Sequence, residues 1–430
     1  MKLIIHRGTH EIGGTCVEIN TDKTRIIVDF GMPLVTLDKK SFDSKTLIGK
    51  TIEDLKGLHI LPEIQGFYKD EPRRIDAVLI SHAHLDHYGL LNYIHSDIPV
   101  YMSQGAQELV EVSRIFTPNK LNKPNAKIID YRKSFGIGDI KVTPYTVDHS
   151  AFDALAFLIE ADGKRIYYSG DFRGHGRKSK LFTKMISRPP KNIDCLLMEG
   201  STLGREEWLY KNEFAVQERI EEILESADNL TFFFASSQNI DRLVSAYKAC
   251  LKTDTIFVID IYTAYVLDRL NKVSKHLPRF NWKNVRIKFF QNQATTLADK
   301  VSKELLYSYN SKKIEMEEIN KSKNRFLMLA RDNSIFPRIL KAIDDPKGAK
   351  IIYSMWEGYL TDEFKKFCKD KGLIIKEVHT SGHARIEDLK AFACALNPKI
   401  LIPIHTFEPD KYPSLFEKVR VLKDGEAIEL

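Results

Sequence analysis

Apolar residues recur in short runs separated by turn signals through the first part of the chain: "KLIIHRG", "TCVEINTD", "TRIIVDFG", "IDAVLISHAH", "KVTPYTVDHS", "LAFLIEADG", "RIYYSGDF" and "DCLLMEGS". Runs of this length, rich in β-branched and aromatic residues, predict strands. Many end in His, Asp or Glu beside Gly or Ser, a pattern that delivers polar side chains at strand ends. "NTDKTR" and "EADGKR" predict hairpin turns between antiparallel partners.

After "MEGSTLGREEW" the pattern changes. "EEWLYKNEFAVQERIEEILES" carries apolar residues at helical spacing, and the alternation continues with "NLTFFFASS", "QNIDRLVSAYKACLK", "TIFVIDI", "TAYVLDRLNKV", "NRFLMLARD" and "SIFPRILKAI". Strand followed by helix, repeated, predicts a parallel α/β unit. Towards the end, "AKIIYSMW", "LIIKEVHTSGHA", "KILIPIHTFEP" and "VRVLKDGEAIEL" bring back strands, two of which run into histidines. The expected organisation is one α/β domain, residues 1–203 and 373–430, interrupted by an inserted α/β domain at 204–372. "LPEIQGFY", within the long stretch before residue 70, predicts a packed loop or short helix and suggests no function.

Composition supports a folded chain of two domains, with 430 residues, 43% hydrophobic and 10% aromatic. A net charge of +7, from 65 basic against 58 acidic residues, permits a polyanionic partner without demanding one. Five scattered cysteines with no C-x-x-C pair read as reduced thiols of a cytoplasmic protein. The apolar stretch of "MKLIIHRGTHEIGG" is too short for a signal peptide, and no run is long enough to span a membrane.

The densest chemistry lies in "ISHAHLDHYGLL", where His82, His84, Asp86 and His87 follow an apolar run. Imidazoles with a carboxylate suit zinc or another first-row ion. In extended backbone His82 and His84 point the same way and can share one ion, while Asp86 and His87 can grip a second. Other strand ends supply more ligands: His149 in "TVDHS", Asp171 in "YYSGDFRGHGRKS" and His405 in "PIHTFEP". A carboxylate such as Asp171 can bridge two ions roughly 3.5–4 Å apart.

The ordered set "SHAHLDH", "DHS" and "SGD" resembles the motifs of the metallo-β-lactamase fold, an αββα sandwich. Glu199 in "LLMEGSTLGRE", His383 in "HTSGHA" and His405 resemble the three motifs of the β-CASP nucleases, in the style of the ribonuclease J group, over nearly the whole chain. The resemblance implies two Zn2+ per chain, with Mn2+ as an alternative. His82, His84 and His149 would hold one ion and Asp86, His87 and His405 the other, with Asp171 bridging. It implies a metal-bridged hydroxide attacking phosphorus, Asp86 serving the catalytic ion, His383 as general acid, and Glu199 orienting it or raising its basicity. Ser381 and the backbone of Gly382 are candidate phosphate contacts, and His379 either helps there or supports His383. Ser236, Ser237, Gln238 and Arg242, in "FFFASSQNIDRL", either bind the substrate end or simply cap a helix.

Arg173, His175, Arg177, Lys178 and Lys180 follow the bridging aspartate, and Arg173 and Arg177 are candidate contacts to a phosphodiester backbone. The expected function is a zinc-dependent ribonuclease, exonuclease and/or endonuclease, acting on single-stranded RNA. A DNA-directed β-CASP nuclease is the alternative, and a thioester or lactone hydrolase on the same scaffold is the rival from another class. A homodimer is a possible assembly and no membrane partner is expected. Ribonuclease J usually carries a further C-terminal domain, whereas this chain ends at residue 430.

Overall fold

The computed structural model describes residues 1–36, 40–117, 121–205 and 209–430. It divides into two compact units, Met1–Glu206 with Gly382–Leu430, and Glu207–Ser381.

The first unit opens with β1 (Lys2–Arg7), β2 (Cys16–Asn20), β3 (Arg25–Val28), β4 (Ala77–Leu79), β5 (Pro99–Met102) and β6 (Asn125–Ile128). A second sheet follows from β7 (Phe135–Ile137), β8 (Ile140–Thr146), β9 (Leu155–Ala161), β10 (Lys164–Tyr168) and β11 (Cys195–Glu199). The second unit contributes β12 (Thr231–Phe234), β13 (Ile256–Asp260), β14 (Val285–Lys288), β15 (Phe326–Ala330), β16 (Lys350–Tyr353) and β17 (Ile374–Glu377). The chain then returns to the first unit with β18 (Ile400–Ile404) and β19 (Ala427–Glu429). The sheet orders are β19-β1-β2-β3-β4-β5-β6, β18-β11-β10-β9-β8-β7 and β14-β13-β15-β12-β16-β17.

Strand alternation builds the layers. Leu155, Phe157 and Ile159 of β9 and Cys195 and Leu197 of β11 face a core shared with Leu3, Ile5, Val17 and Ile19 of the first sheet. Their neighbours Ala156, Leu158, Leu196 and Met198 face the other way, onto Leu389, Phe392 and Leu396 of the helix Ile386–Leu396. Two sheets packed face to face with helices outside are the expected sandwich. Both predicted hairpins form: β2 pairs antiparallel with β3, and β9 with β10. The β9–β10 turn places Asp162 (φ 51°) and Gly163 (φ 69°) in left-handed backbone, matching a two-residue turn of the type that suits strand twist.

In the second unit every strand pairing is parallel among the described residues. Its strand β12 is buried on both faces, which explains the unbroken apolar run of "TFFF". Of the predicted helix at 206–226, residues 206–208 lie outside the described ones, and the helix itself is Glu213–Glu225. The chain was expected to return to its first unit at residue 373. Instead β17 pairs in parallel with β16, so the second unit extends to Ser381. An apolar run marks a strand but does not say which sheet edge it completes.

The stretch before residue 70 contains the helix Ile52–Gly57, started by a reciprocal Thr51–Asp54 capping box. Beyond it Phe67 and Tyr68 are buried, and Phe67 meets Phe30 edge-on at 4.8 Å between ring centroids. Among the described residues no helix is long and apolar enough to cross a membrane. Cys16, Cys195, Cys250 and Cys368 are buried free thiols, and Cys394 is exposed.

Candidate metal centre

Strand ends of both sheets in the first unit converge on one cluster. After β4 the chain passes through Ser81 and His82, and His84 stands at the N-cap of the short helix Leu85–Tyr88 that carries Asp86 and His87. His149 follows β8, Asp171 follows β10, and His405 follows β18 in left-handed backbone (φ 51°), its N–H donating to the Gly8 carbonyl at 2.7 Å. Gly31 lies so close that a Cβ there would stand 1.6 Å from the Asp86 carbonyl oxygen.

Ligand atoms of His82, His84 and His149 lie within 4.8 Å of one another, and so do those of Asp86, His87, Asp171 and His405. Asp171 joins the two groups. Its Oδ2 lies 3.6 Å from His82 Nε2, 4.0 Å from His149 Nε2, 3.1 Å from His87 Nε2 and 3.5 Å from His405 Nε2. His405 Nε2 is also 3.6 Å from Asp86 Oδ2.

Whether cations fit is decided by the unused polar atoms. His82 Nε2, His87 Nε2, His405 Nε2 and both Asp171 carboxylate oxygens are buried and make no hydrogen bond. Each such orphan costs about 1–3 kcal/mol, so their convergence calls for a cation. The opposite ring atoms are engaged. His87 Nδ1 meets Asp29 Oδ2 at 2.8 Å, His82 Nδ1 meets the Ser81 hydroxyl at 3.0 Å, His405 Nδ1 meets the Thr15 hydroxyl at 2.9 Å, and His149 Nδ1 donates to the Gly382 carbonyl at 2.6 Å. His84 turns its Nδ1 inward, 3.2 Å from His149 Nε2. Partners on the outer nitrogen fix ring orientation and leave the inner nitrogen as ligand.

Electrostatics agree. Burial pushes His82, His149 and His405 well below the ordinary histidine range, and His84 down to about 4, so these rings are neutral donors. Burial opposes charge on His87 too, but Asp171, Asp29 and Asp86 outweigh it and hold the ring well above its usual value. Asp171 is raised by burial.

Glu199 ends β11 beside this cluster, buried. Its Oε1 accepts the N–H groups of Phe172 (3.0 Å) and Ala384 (3.4 Å), and its Oε2 accepts Ser201 N–H (3.2 Å) and faces His383 Nδ1 (3.2 Å). Although burial opposes it, His383 and these N–H groups hold the Glu199 carboxyl below its usual range. Burial alone would lower His383, but Glu199 and Asp171, the latter 3.6 Å away, raise it. His383 and Glu199 thus each favour the ionised form of the other at the edge of the metal cluster.

Several of the expected substrate contacts are buried. Arg173 is fully buried: its N–H donates to the Asp148 carbonyl at 2.7 Å and its Nε lies 3.5 Å from Asp148 Oδ1. It therefore holds its own loop, while Arg177 is half-buried. The same loop is tied to the helix Ile386–Leu396, where Asp388 accepts Gly174 N–H at 3.0 Å and lies 3.6 Å from His175 Nδ1. Gly382 is half-buried and turns its carbonyl to His149 Nδ1.

Arg242 belongs inside the second unit. It is fully buried and pairs bidentately with buried Glu213 at 3.0 and 3.2 Å, while also donating to the carbonyls of Ser354 (2.8 Å) and Thr380 (3.0 Å). The guanidinium has no face left for substrate. His379 Nδ1 stands 3.2 Å from it, which gives that histidine a place beside the ion pair. Ser237 is buried, bonded to Thr263 at 2.7 Å and to Arg331, and Gln238 donates to the Tyr262 hydroxyl at 2.9 Å. Ser236 is exposed and Ser381 is buried.

Sequence reasoning missed Asp29. Fully buried and in left-handed backbone (φ 57°), it accepts Ser81 N–H (2.7 Å), Ser81 hydroxyl (2.7 Å), His87 Nδ1 (2.8 Å) and Tyr168 hydroxyl (2.6 Å), joining the ends of β3, β4 and β10. Its signal was "IIVDFG", a strand ending in an acid beside glycine. Thr15, the partner of His405, carried no signal of its own.

Two face-packed sheets whose strand ends gather histidines and aspartates define a metallo-β-lactamase-fold protein, here with an inserted parallel α/β unit. Residues 56–231 match the family profile described as beta-lactamase superfamily domain. The chain is similar to Ribonuclease J of Helicobacter pylori strain B128, 24% identical over 408 residues, covering 93% of this chain and 55% of that protein. It is also similar to Transcription termination factor FttA of Methanothermobacter thermautotrophicus, 24% identical over 314 residues, covering 67% of this chain and 46% of that protein. The chain therefore spans about half the length of these curated relatives. A crystal structure of a protein of unknown function from Enterococcus faecalis V583 has the same fold, with a TM-score of 0.78 at 23% identity, covering 100% of this chain and 99% of that one. The resemblance to the β-CASP, ribonuclease J-like group seen in the motifs is thus met again along most of this chain.

Proposed function

We propose that this chain is a metal-dependent ribonuclease that hydrolyses phosphodiester bonds of single-stranded RNA. The observation that carries the reading is the pair of ligand groups joined by Asp171, seven side chains in all, with the Glu199–His383 pair beside them. His82, His84 and His149 would hold one zinc ion, Asp86, His87 and His405 the other, and Asp171 both. When bound, such ions acidify water and neutralise charge on phosphoryl oxygens. The rest falls to the side chains. His383, its Nδ1 turned to Glu199 and Asp171, keeps Nε2–H for the departing oxygen. Glu199, fixed by three backbone N–H groups, holds the imidazolium in place through that transfer. The names of the relatives, Ribonuclease J above all, favour RNA as the substrate.

The test is incubation of the purified chain, loaded with Zn2+ or Mn2+, with end-labelled single-stranded RNA and DNA carrying 5′-phosphate, hydroxyl or triphosphate ends. Cleavage of RNA with a loss of at least about 100-fold in His383→Ala is expected, as for removal of a general acid. The product ladder distinguishes exonucleolytic from endonucleolytic cutting. DNA cleavage alone would assign the alternative substrate, and hydrolysis of a thioester with no nucleic acid cut would sink the proposal. Metal analysis should find about two ions per chain.

A further inference from the structure

The second unit holds a cavity of about 690 Å3, within the size range of small-ligand sites. It lies beside the ends of β14 and β15, the two strands that flank β13 in the parallel sheet. The cavity wall comes from residues just after β14 (Phe290, Asn292) and just after β15 (Asn333, Arg338), with Met316 and Ile339 as apolar floor.

The chemistry of the lining narrows the occupant. No acidic residue lines the cavity, and two cations do. Lys288 is matched by Glu315 at 2.5 Å, but Arg338 is exposed with no carboxylate partner among the described residues. Phe290 offers a half-buried ring against the aliphatic floor, and the amides of Asn292 and Asn333 offer paired donors and acceptors. We infer that this cavity binds a nucleotide, its base between Phe290 and the apolar floor, its edge read by the asparagines and its phosphate on Arg338. The occupant is either a free nucleoside monophosphate or one residue of a nucleic-acid strand. The inference does not depend on the metal centre, which belongs to the other unit.

The experiment is a calorimetric and saturation-transfer NMR titration of the full chain with AMP, UMP, adenosine, inorganic phosphate and a 5′-phosphorylated RNA tetranucleotide. Saturable AMP binding is expected, weakened roughly tenfold by Arg338→Gln, as loss of a charge-assisted contact implies. That variant should leave adenosine binding unchanged, while Phe290→Leu should weaken both. Lys365→Gln, elsewhere in the unit, should alter neither. Free nucleotide binding assigns a small-molecule site, whereas binding of the tetranucleotide alone, lost in both variants, assigns a strand subsite. If no nucleotide binds the wild type, or if binding survives Arg338→Gln and Phe290→Leu unchanged, the inference is wrong. Matching thermal unfolding curves for the variants exclude a folding defect as the cause.

Discussion

Thr15→Val isolates a single hydrogen bond behind the metal cluster. His405 can present a lone pair at Nε2 only if its proton sits on Nδ1, and the Thr15 hydroxyl, 2.9 Å away, is the acceptor for that proton. The other neighbour of Nδ1, the Gly13 N–H at 3.3 Å, is a donor and favours the opposite tautomer. Valine keeps the shape and removes the acceptor, leaving a buried N–H opposed by another N–H. An unsatisfied buried donor costs about 1–3 kcal/mol, so zinc affinity should fall by roughly 10–100-fold in the group Asp86, His87, Asp171 and His405. Competition of the metal-free protein against a chromogenic chelator should show two tight sites in the wild type and one weakened site in Thr15→Val. Thr15→Ser, which restores the hydroxyl, should recover the wild-type curve. Zinc binding by Thr15→Val within twofold of wild type would refute both the tautomer argument and ligation through His405 Nε2.

Breaking the buried ion pair with Glu213→Ala should destabilise the second unit by about 3–5 kcal/mol in guanidinium unfolding, and a Glu213→Met, Arg242→Met double variant should lose less, because no unpaired charge remains. Gly31→Ala forces a Cβ into the Asp86 carbonyl and should cost roughly 3 kcal/mol in thermal or denaturant unfolding together with part of the bound metal. Glu18 is buried, yet hydrogen bonds from His6, Arg25 and Asn20 outweigh burial and bring its carboxyl down to about 2. Because the folded value lies below the unfolded one, this stabilisation, on the order of 3 kcal/mol, is complete above the ordinary carboxylate range and disappears as pH falls towards 2. Glu18→Gln should therefore flatten the acid limb of a stability-against-pH curve, and an unchanged limb would contradict the assignment.

Most of the metal cluster was legible because its chemistry is local. His82, His84, Asp86 and His87 sit within six residues, and His149, Asp171 and His405 each close a strand. Asp29 and Thr15 were illegible for a different reason. Each works through one hydrogen bond to an imidazole distant in sequence, and that bond exists only once sheets are paired. Arg242 misled for a related reason. A cation at the start of an amphipathic helix reads as surface, and no periodicity announces that Glu213 of the preceding helix will meet it inside. The hairpins and the parallel unit were readable from turns and apolar runs, which are properties of neighbours along the chain. The assignment of β17 to its sheet was not, since edge pairing depends on which strand stands next to it.

The order in which the ligands appear along the chain has a consequence for synthesis. His82 to Asp171 emerge early, but His405 follows the whole second unit, and β19 must still pair with β1 to complete the first sheet. Chains are made from the amino end, and domains fold as they become complete. A growing polypeptide therefore carries a half-built centre throughout translation, with one imidazole missing from the second cluster. The late histidine thus works as a built-in delay: the proposed activity cannot begin until the second unit has been made and the chain has returned to the first.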